Sequence, residues 1–309
     1  MNAYLQTVTG PIAVEWVRVA DAHSHVWIQP PPGVPPDITP LSDYDDILKE
    51  LLDFHDAGGT TLIDCQPPGC GRDARMLARL ANATGLHITA VTGFHLRRYY
   101  PATNWLWTAT STQAADTFLE ELRVGMNETG GRIPATAILI GYDGRIDGQE
   151  QALMEAAAEA ARQTGAALLL HTEQGLNIEA LVPFFSRLGV PANRLYLCQV
   201  DQRPDAGLHR ELAQAGVLLG YSSYLRRAYN AEQHFWPLLK ALVAAGLGHK
   251  VTLGLDLSTP GMWVYGGAEW GLEALPRLII PRLQQEGIAQ EIADGLVGQN
   301  VARHLVWQA

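Results

Sequence analysis

Short β-branched or apolar runs alternate along the chain with longer amphipathic ones. The short runs predict strands at residues 17–22, 60–65, 87–92, 136–140, 166–170, 195–198, 217–221 and 250–255. Between them, apolar positions recur at helical spacing over 42–57, 72–84, 112–128, 149–163, 178–188, 206–215 and 232–245, and again over 268–286 and 290–297. Gly85, Gly165, Gly189, Gly216 and Gly246 fall where those helices should stop. Strand–helix alternation implies parallel strands joined by right-handed crossovers. Eight such units predict an α/β fold of the (β/α)8 TIM-barrel kind, at about 39 residues per unit. An open doubly wound sheet is the competing arrangement, but no G-x-G-x-x-G follows the first strand. No boundary breaks the pattern, so residues 1–309 read as a single domain. The stretch 29–40, with six prolines, reads as a stiff loop beside a site.

Composition narrows the class. Hydrophobic residues make up 47% and charged residues 17%, which excludes a disordered or fibrous chain. A net charge of −10 argues against a nucleic-acid partner. Cys65, Cys70 and Cys198 are too few for a disulfide framework and suit a reducing compartment. Residues 1–10 show no basic region followed by an apolar stretch, and no window approaches a membrane span. The expectation is a cytoplasmic protein without membrane contact.

In such a barrel, chemistry gathers at the C-terminal strand ends. There the sequence places His23 and His25, Asp64, Cys65 and Gln66, His171, Gln199 and Asp201, and Asp256. His23 and His25 stand two apart and project to one side. Neutral imidazoles suit zinc and related cations. His171 and Asp256 converge from other strands, which makes His23, His25, His171 and Asp256 the candidate metal ligands. Water on such an ion loses a proton near neutral pH, and Asp256 is the candidate acceptor. The competing reading is a set of satisfied polar residues plugging the barrel mouth.

The motifs DAHSH (21–25), GGTTLIDC (58–65) with GRD (71–73), AVTGFHL (90–96), LLLHTE (168–173), NRLYLCQVD (193–201), VTLGLD (251–256) and GLVGQNVARHL (295–305) follow in order. Together with TVTGPI (7–12), they resemble the phosphotriesterase family of the amidohydrolase superfamily along nearly the whole chain. The resemblance implies an amidohydrolase-type barrel, hydrolysis of small-molecule esters, lactones or phosphoesters, and a homodimer. Two metals are usual in that family. The buried one takes the positions of His23, His25 and Asp256, and the second those of His171 and a strand-six histidine. An anionic strand-four residue bridges the two.

Here the strand-four position falls on Leu139 and the strand-six position on Gln199. Leucine offers no lone pair, and two unbridged dications repel. One divalent ion, zinc for preference, is therefore expected rather than two. Cys65 could replace the bridge as a thiolate with Gln199 nearby, or be a small buried strand residue. His95 and Tyr99 in loop three, Arg226 and Arg227 in loop seven, and Trp263 in loop eight are the candidate substrate contacts. Glu173 follows His171 by two residues instead of three, which disfavours deamination. Ester or lactone hydrolysis is the first expectation and phosphoester hydrolysis the second. A barrel that binds a small molecule without turning it over is the alternative.

Overall fold

The computed structural model describes residues 3–36, 38–226 and 228–307. Two short strands open the chain, β1 (Tyr4–Thr7) and β2 (Gly10–Ala13), paired antiparallel. The barrel strands follow: β3 (Ala20–Ser24), β4 (Thr61–Asp64), β5 (His87–Thr89) continued by β6 (Val91–Phe94), β7 (Ala137–Tyr142), β8 (Leu168–Thr172), β9 (Leu195–Cys198), β10 (Leu218–Tyr221) and β11 (Val251–Leu253). All neighbouring barrel pairs are parallel. One sheet runs β3-β4-β5 and the other β6 to β11. They close where Asp256 N–H donates to the His23 carbonyl at 2.8 Å and Leu255 N–H to Asp21 Oδ1 at 2.8 Å. The chain is the (β/α)8 barrel that its alternating pattern predicts.

The strands are apolar on both sides because both sides are covered. Inward residues such as Ile63, Val91, Leu139, Leu169 and Tyr196 fill the barrel interior. Outward ones, such as Ile138, Leu168 and Leu219, pack under the helices. The interior cluster extends to Leu5 and Ile12 of the hairpin and to Val301 and Leu305, so these elements seal the amino-terminal end.

Helices α1 (Tyr44–Asp56), α2 (Ala74–Thr84), α3 (Ser111–Arg123), α4 (Gly148–Thr164), α5 (Leu181–Arg187), α6 (Ala206–Ala215) and α7 (Phe235–Ala244) occupy the crossovers. Asp43, Asp73 and Asp205 cap α1, α2 and α6 by accepting first-turn amides, and Thr110 with Gln113 forms a capping box on α3. Gly85 and Gly165 end α2 and α4 in the left-handed conformation that glycine adopts without strain.

Three features differ from the sequence pattern. The hairpin is absent from it, because two four-residue strands offer too little alternation. Helix α3 stops at Arg123, short of 128, and a 3-10 turn follows at Asn127–Thr129. The helix expected over 268–286 begins only with a π-turn at Leu275–Ile279 and continues as α8 (Ile280–Gln285). Pro276 and Pro281 remove two amide donors there, and the wider turn accommodates the loss. A helical run of α9 (Gln290–Asp294), a second π-turn and α10 (Asn300–Leu305) ends the fold. No helix among the described residues is long and apolar enough to cross a membrane.

Candidate metal centre

The carboxyl ends of the barrel strands open into a cavity of about 530 Å³. The proline-rich segment reaches over it, with Ile28, Pro35, Ile38 and Thr39 on its wall. Paired backbone bonds between Ile28 and Leu41, at 2.8 and 2.9 Å, pin the base of that loop.

His23 and His25 leave the end of β3 with their ring centroids 5.4 Å apart. Asp256 follows β11 in a left-handed backbone conformation, φ +51°. That conformation is costly for an aspartate and persists only where the surroundings impose it. His23 Nε2 lies 3.5 Å and His25 Nε2 3.4 Å from Asp256 Oδ1. Among the described residues, His23, His25 and Asp256 form the group whose donor atoms all lie within 4.8 Å of one another. Donors about 2.0–2.1 Å from a tetrahedral cation stand roughly 3.3–3.4 Å apart, so the spacing suits a small divalent ion.

The protonation state of His23 suits it as well. Burial pushes His23 down to about 3, so its ring is neutral at physiological pH. Both its ring nitrogens are buried without a hydrogen-bond partner among the described residues. An orphaned, buried, neutral imidazole is a ready ligand. His25 is oriented from behind. Gln66 Nε2 donates to the Cys70 carbonyl at 2.6 Å, which turns Gln66 Oε1 towards His25 Nδ1 at 3.0 Å. With Nδ1–H committed, Nε2 faces Asp256. Burial alone would raise the Asp256 pKa, but its electrostatic interactions with the His23 and His25 imidazoles, the His25 hydrogen bond and the Arg226 guanidinium hold it well below the usual carboxylate range.

His171 stands beside this group, its ring edge-on to His23 at 5.5 Å between centroids. Burial pushes it down to about 4, and its Nδ1 has no partner among the described residues. Strand register sets Gly141 of β7 and Cys198 of β9 level with His171. A Cβ on Gly141 would lie 2.4 Å from the Leu96 amide nitrogen, so β7 has no room for a side chain at this level. His95 stands there instead, its ring 4.5 Å from that of His171. Leu96 N–H donates to His95 Nδ1 at 2.7 Å, which puts the imidazole proton on Nε2 at the cavity wall.

The remaining candidates divide. Leu139 lies in the apolar barrel interior with Cys65 and Cys198. Cys65 Sγ contacts the Ile63 carbonyl at 3.4 Å, and burial drives its thiol pKa far up, so it is no ready thiolate ligand. Gln199, itself at φ +62°, donates its amide to Asp256 Oδ2. Arg226 donates to the same oxygen. His95, Tyr99 and Arg226 line the cavity. Trp263 does not: it is buried under loop eight with its indole N–H bound to the Leu257 carbonyl at 2.9 Å. An aromatic ring in a mouth loop suggested a substrate contact, but its apolar face was claimed by the core. Arg227 lies outside the described residues.

The phosphotriesterase family model matches residues 3–305. The chain belongs to the phosphotriesterase family. A phospho-furanose lactonase of Mycoplasmopsis synoviae is 28% identical over 330 residues, spanning 99% of this chain and 92% of the relative. The crystal structure of an amidohydrolase from Mycoplasma synoviae superposes with a TM-score of 0.91 at 26% identity, over 99% of this chain and 93% of that one. A lactonase from Listeria monocytogenes superposes with a TM-score of 0.92 at 20% identity, over 99% and 100% of the two chains, which shows the shared fold. Members of this family generally depend on metal ions, and the His23–His25–Asp256 group is a possible metal site.

The partners of two cavity residues are not legible in the sequence. Gln66 was visible only as a polar strand-end residue, because its bond to His25 spans 41 positions. Glu173 engages Arg98 across the cavity wall, a pairing that no sequence spacing announces.

Proposed function

We propose that this chain is a metal-dependent hydrolase acting on a lactone or carboxylic ester of a small molecule. The observation that carries this reading is the buried donor group of His23, His25 and Asp256, with both nitrogens of His23 unclaimed among the described residues, and with His25 and Asp256 on the wall of a ligand-sized cavity. The lactonases among the relatives support lactone over phosphoester chemistry. One divalent ion, zinc for preference, fits the donors, with His171 as a further ligand; Leu139 and Gln199 provide no bridge for a second. A cation held there supplies Lewis-acid polarisation of the electrophile and of water.

The protein's own groups supply the rest. Gln66 fixes the orientation of His25. His95 presents its Nε2–H to the substrate oxygen on which charge develops. Water attacks the carbonyl carbon, a new C–O bond forms, and the ester C–O bond breaks. Asp256 takes the proton that water gives up, at Oδ2, the oxygen turned away from the histidines, and delivers it to the leaving alkoxide. A carboxylate is a far weaker base than an alkoxide, so it releases the proton readily to the leaving oxygen. Small-molecule turnover by a cytoplasmic homodimer completes the reading.

Asp256→Asn tests it. The variant should fold, with an unchanged circular dichroism spectrum, and should lose about 10³-fold or more in kcat on a γ- or δ-lactone panel, within the range of acid–base catalysis plus lost ligation. A variant that turns over at the wild-type rate would sink the mechanism.

A further inference from the structure

The amino ends of β3, β4 and β5 carry a second cavity, at the end of the barrel opposite the metal centre. It holds about 550 Å³, against about 530 Å³ at the metal centre. Glu15, Trp16, Arg18 and His87 line it, over a floor that includes Gly58 and Gly85. Those two glycines have φ of +103° and +75°, a conformation that favours glycine, and a Cβ on either would meet nothing within 4 Å. The floor is therefore bare backbone with open space above it.

Trp16 is 61% exposed on this cavity, although tryptophan is highly buried on average. It does not stand on a loose segment. Val14 and Val17 on either side of it are buried in the barrel interior. Val17 N–H closes the turn on the Val14 carbonyl at 3.0 Å, and Gln299 Nε2 donates to the carbonyls of Val14 and Val17 at 3.2 and 2.5 Å. Thr60 Oγ1 accepts the amides of Arg18 and Val19, each at 3.1 Å. The indole thus projects from fixed backbone. His87 backs it, with ring centroids 6.1 Å apart and planes 25° from parallel. Burial holds His87 below the ordinary histidine value, so the backing ring is neutral at physiological pH. Glu15 and Arg18 flank the indole in sequence and are both exposed. Neither the Glu15 carboxylate nor the Arg18 guanidinium has a hydrogen-bond or ion-pair partner among the described residues; Arg18 is held by its amide alone. The lining imidazole of His55 already faces Asp56 at 3.5 Å. The cavity therefore offers one π face, one free cation and one free anion.

We infer that this cavity is a second ligand site, and that it takes a small zwitterion with a planar ring, of the aromatic amino acid kind. The ring lies against the Trp16 indole, where aromatic stacking adds to the burial of apolar surface. The ligand carboxylate accepts a bidentate pair from Arg18. The ligand ammonium donates to Glu15. A simple aromatic anion would leave the Glu15 charge repelling it, and a neutral ring would leave both charged groups unused. The site stands apart from the metal centre and does not depend on the hydrolase reading.

Calorimetric titration of L-tryptophan into the purified protein tests it. Wild type should bind it, and the thermal midpoint of unfolding should rise with tryptophan concentration. Trp16→Ala should weaken binding about tenfold or more, the size of a lost aromatic stack with its buried area. Trp16→Phe should restore most of that loss. The side chain is exposed, so neither substitution should change the circular dichroism spectrum. Arg18→Met and Glu15→Gln should each weaken binding about threefold or more, as exposed charged contacts do. Tryptamine, indole-3-propionate and glycine each lack one of the three recognised groups, and each should bind about threefold or more weaker than tryptophan. No binding by wild type, or equal binding by wild type and Trp16→Ala, would overturn the site. Binding of tryptamine or indole-3-propionate as tight as that of tryptophan would overturn the zwitterion.

Discussion

Asp256 divides its two oxygens between two environments. Oδ1 faces the imidazoles of His23 and His25, while Oδ2 faces the amide of Gln199 and the guanidinium of Arg226. In the proposed hydrolase, that division would give one carboxylate a ligand oxygen on one side and a proton-accepting oxygen on the other. It depends on His25 being held in one orientation, which is the work of Gln66. Gln66→Leu should therefore weaken metal binding by about 10–100-fold, the usual cost of losing the hydrogen bond behind a ligating histidine. Competition with a chromophoric chelator measures this, and affinity equal to wild type would show that His25 needs no such support. At this scale the sequence was legible where spacing and strand position coincide. His23 and His25 stand two apart at a predicted strand end, and Asp256 ends the last predicted strand. It was illegible where a side chain's partner is remote. Trp263 reads as a cavity aromatic until its N–H is seen on the Leu257 carbonyl, and Gln199 reads as a poor ligand until its amide is seen on Asp256.

Among the elements, a buried ion-pair network ties the third barrel strand to its neighbours. Arg72, just ahead of α2, makes paired bonds to Glu121 of α3 and to Glu128 of the following 3-10 turn, and donates to the Val91 carbonyl of β6 at 2.7 Å. Arg72 and Glu121 are almost wholly buried. Removing the arginine strands a carboxylate in the interior, so Arg72→Met should cost about 3–5 kcal/mol of unfolding free energy. Urea denaturation checks it, and a loss below about 1 kcal/mol would show that the network is energetically idle. The same network sets a pH dependence. Burial alone would raise the Glu128 pKa, but the hydrogen bonds and charge of Arg72 bring it below the ordinary glutamate value. Its contribution is complete above the unfolded-state pKa and fades as pH falls through the lowered folded-state value. The GRD motif that carries Arg72 was legible as a family likeness, but its two glutamate partners, 49 and 56 positions away, were not. Helices announced themselves through period and caps. The hairpin did not, since four residues cannot show alternation, and the π-turn at Leu275–Ile279 is a response to prolines that read simply as helix breakers.

Across the whole molecule, buried carboxylates sew adjacent strand ends together around the mouth. Asp21 of β3 accepts Leu255 N–H beyond β11. Asp64 of β4 accepts Val26 N–H beyond β3. Asp201, after β9, accepts Ser222 and Ser223 beyond β10. Desolvation raises all three, Asp21 to about 7 and Asp64 and Asp201 to about 6. Their cost is offset by the amides they satisfy. The result is a rigid rim on which His23, His25, His171 and Asp256 are held from strands far apart in sequence. The alternation of strands and helices made this architecture legible from the sequence. The rim bonds were not, because they join residues up to 234 positions apart. In the proposed hydrolase this rim holds one catalytic cation between His23, His25 and Asp256. Crystals of the purified protein, measured by anomalous diffraction at the absorption edge of the native metal, should show one strong peak within bonding distance of those three side chains. No peak there, or a second peak of equal height beside it, would rule out a single catalytic ion.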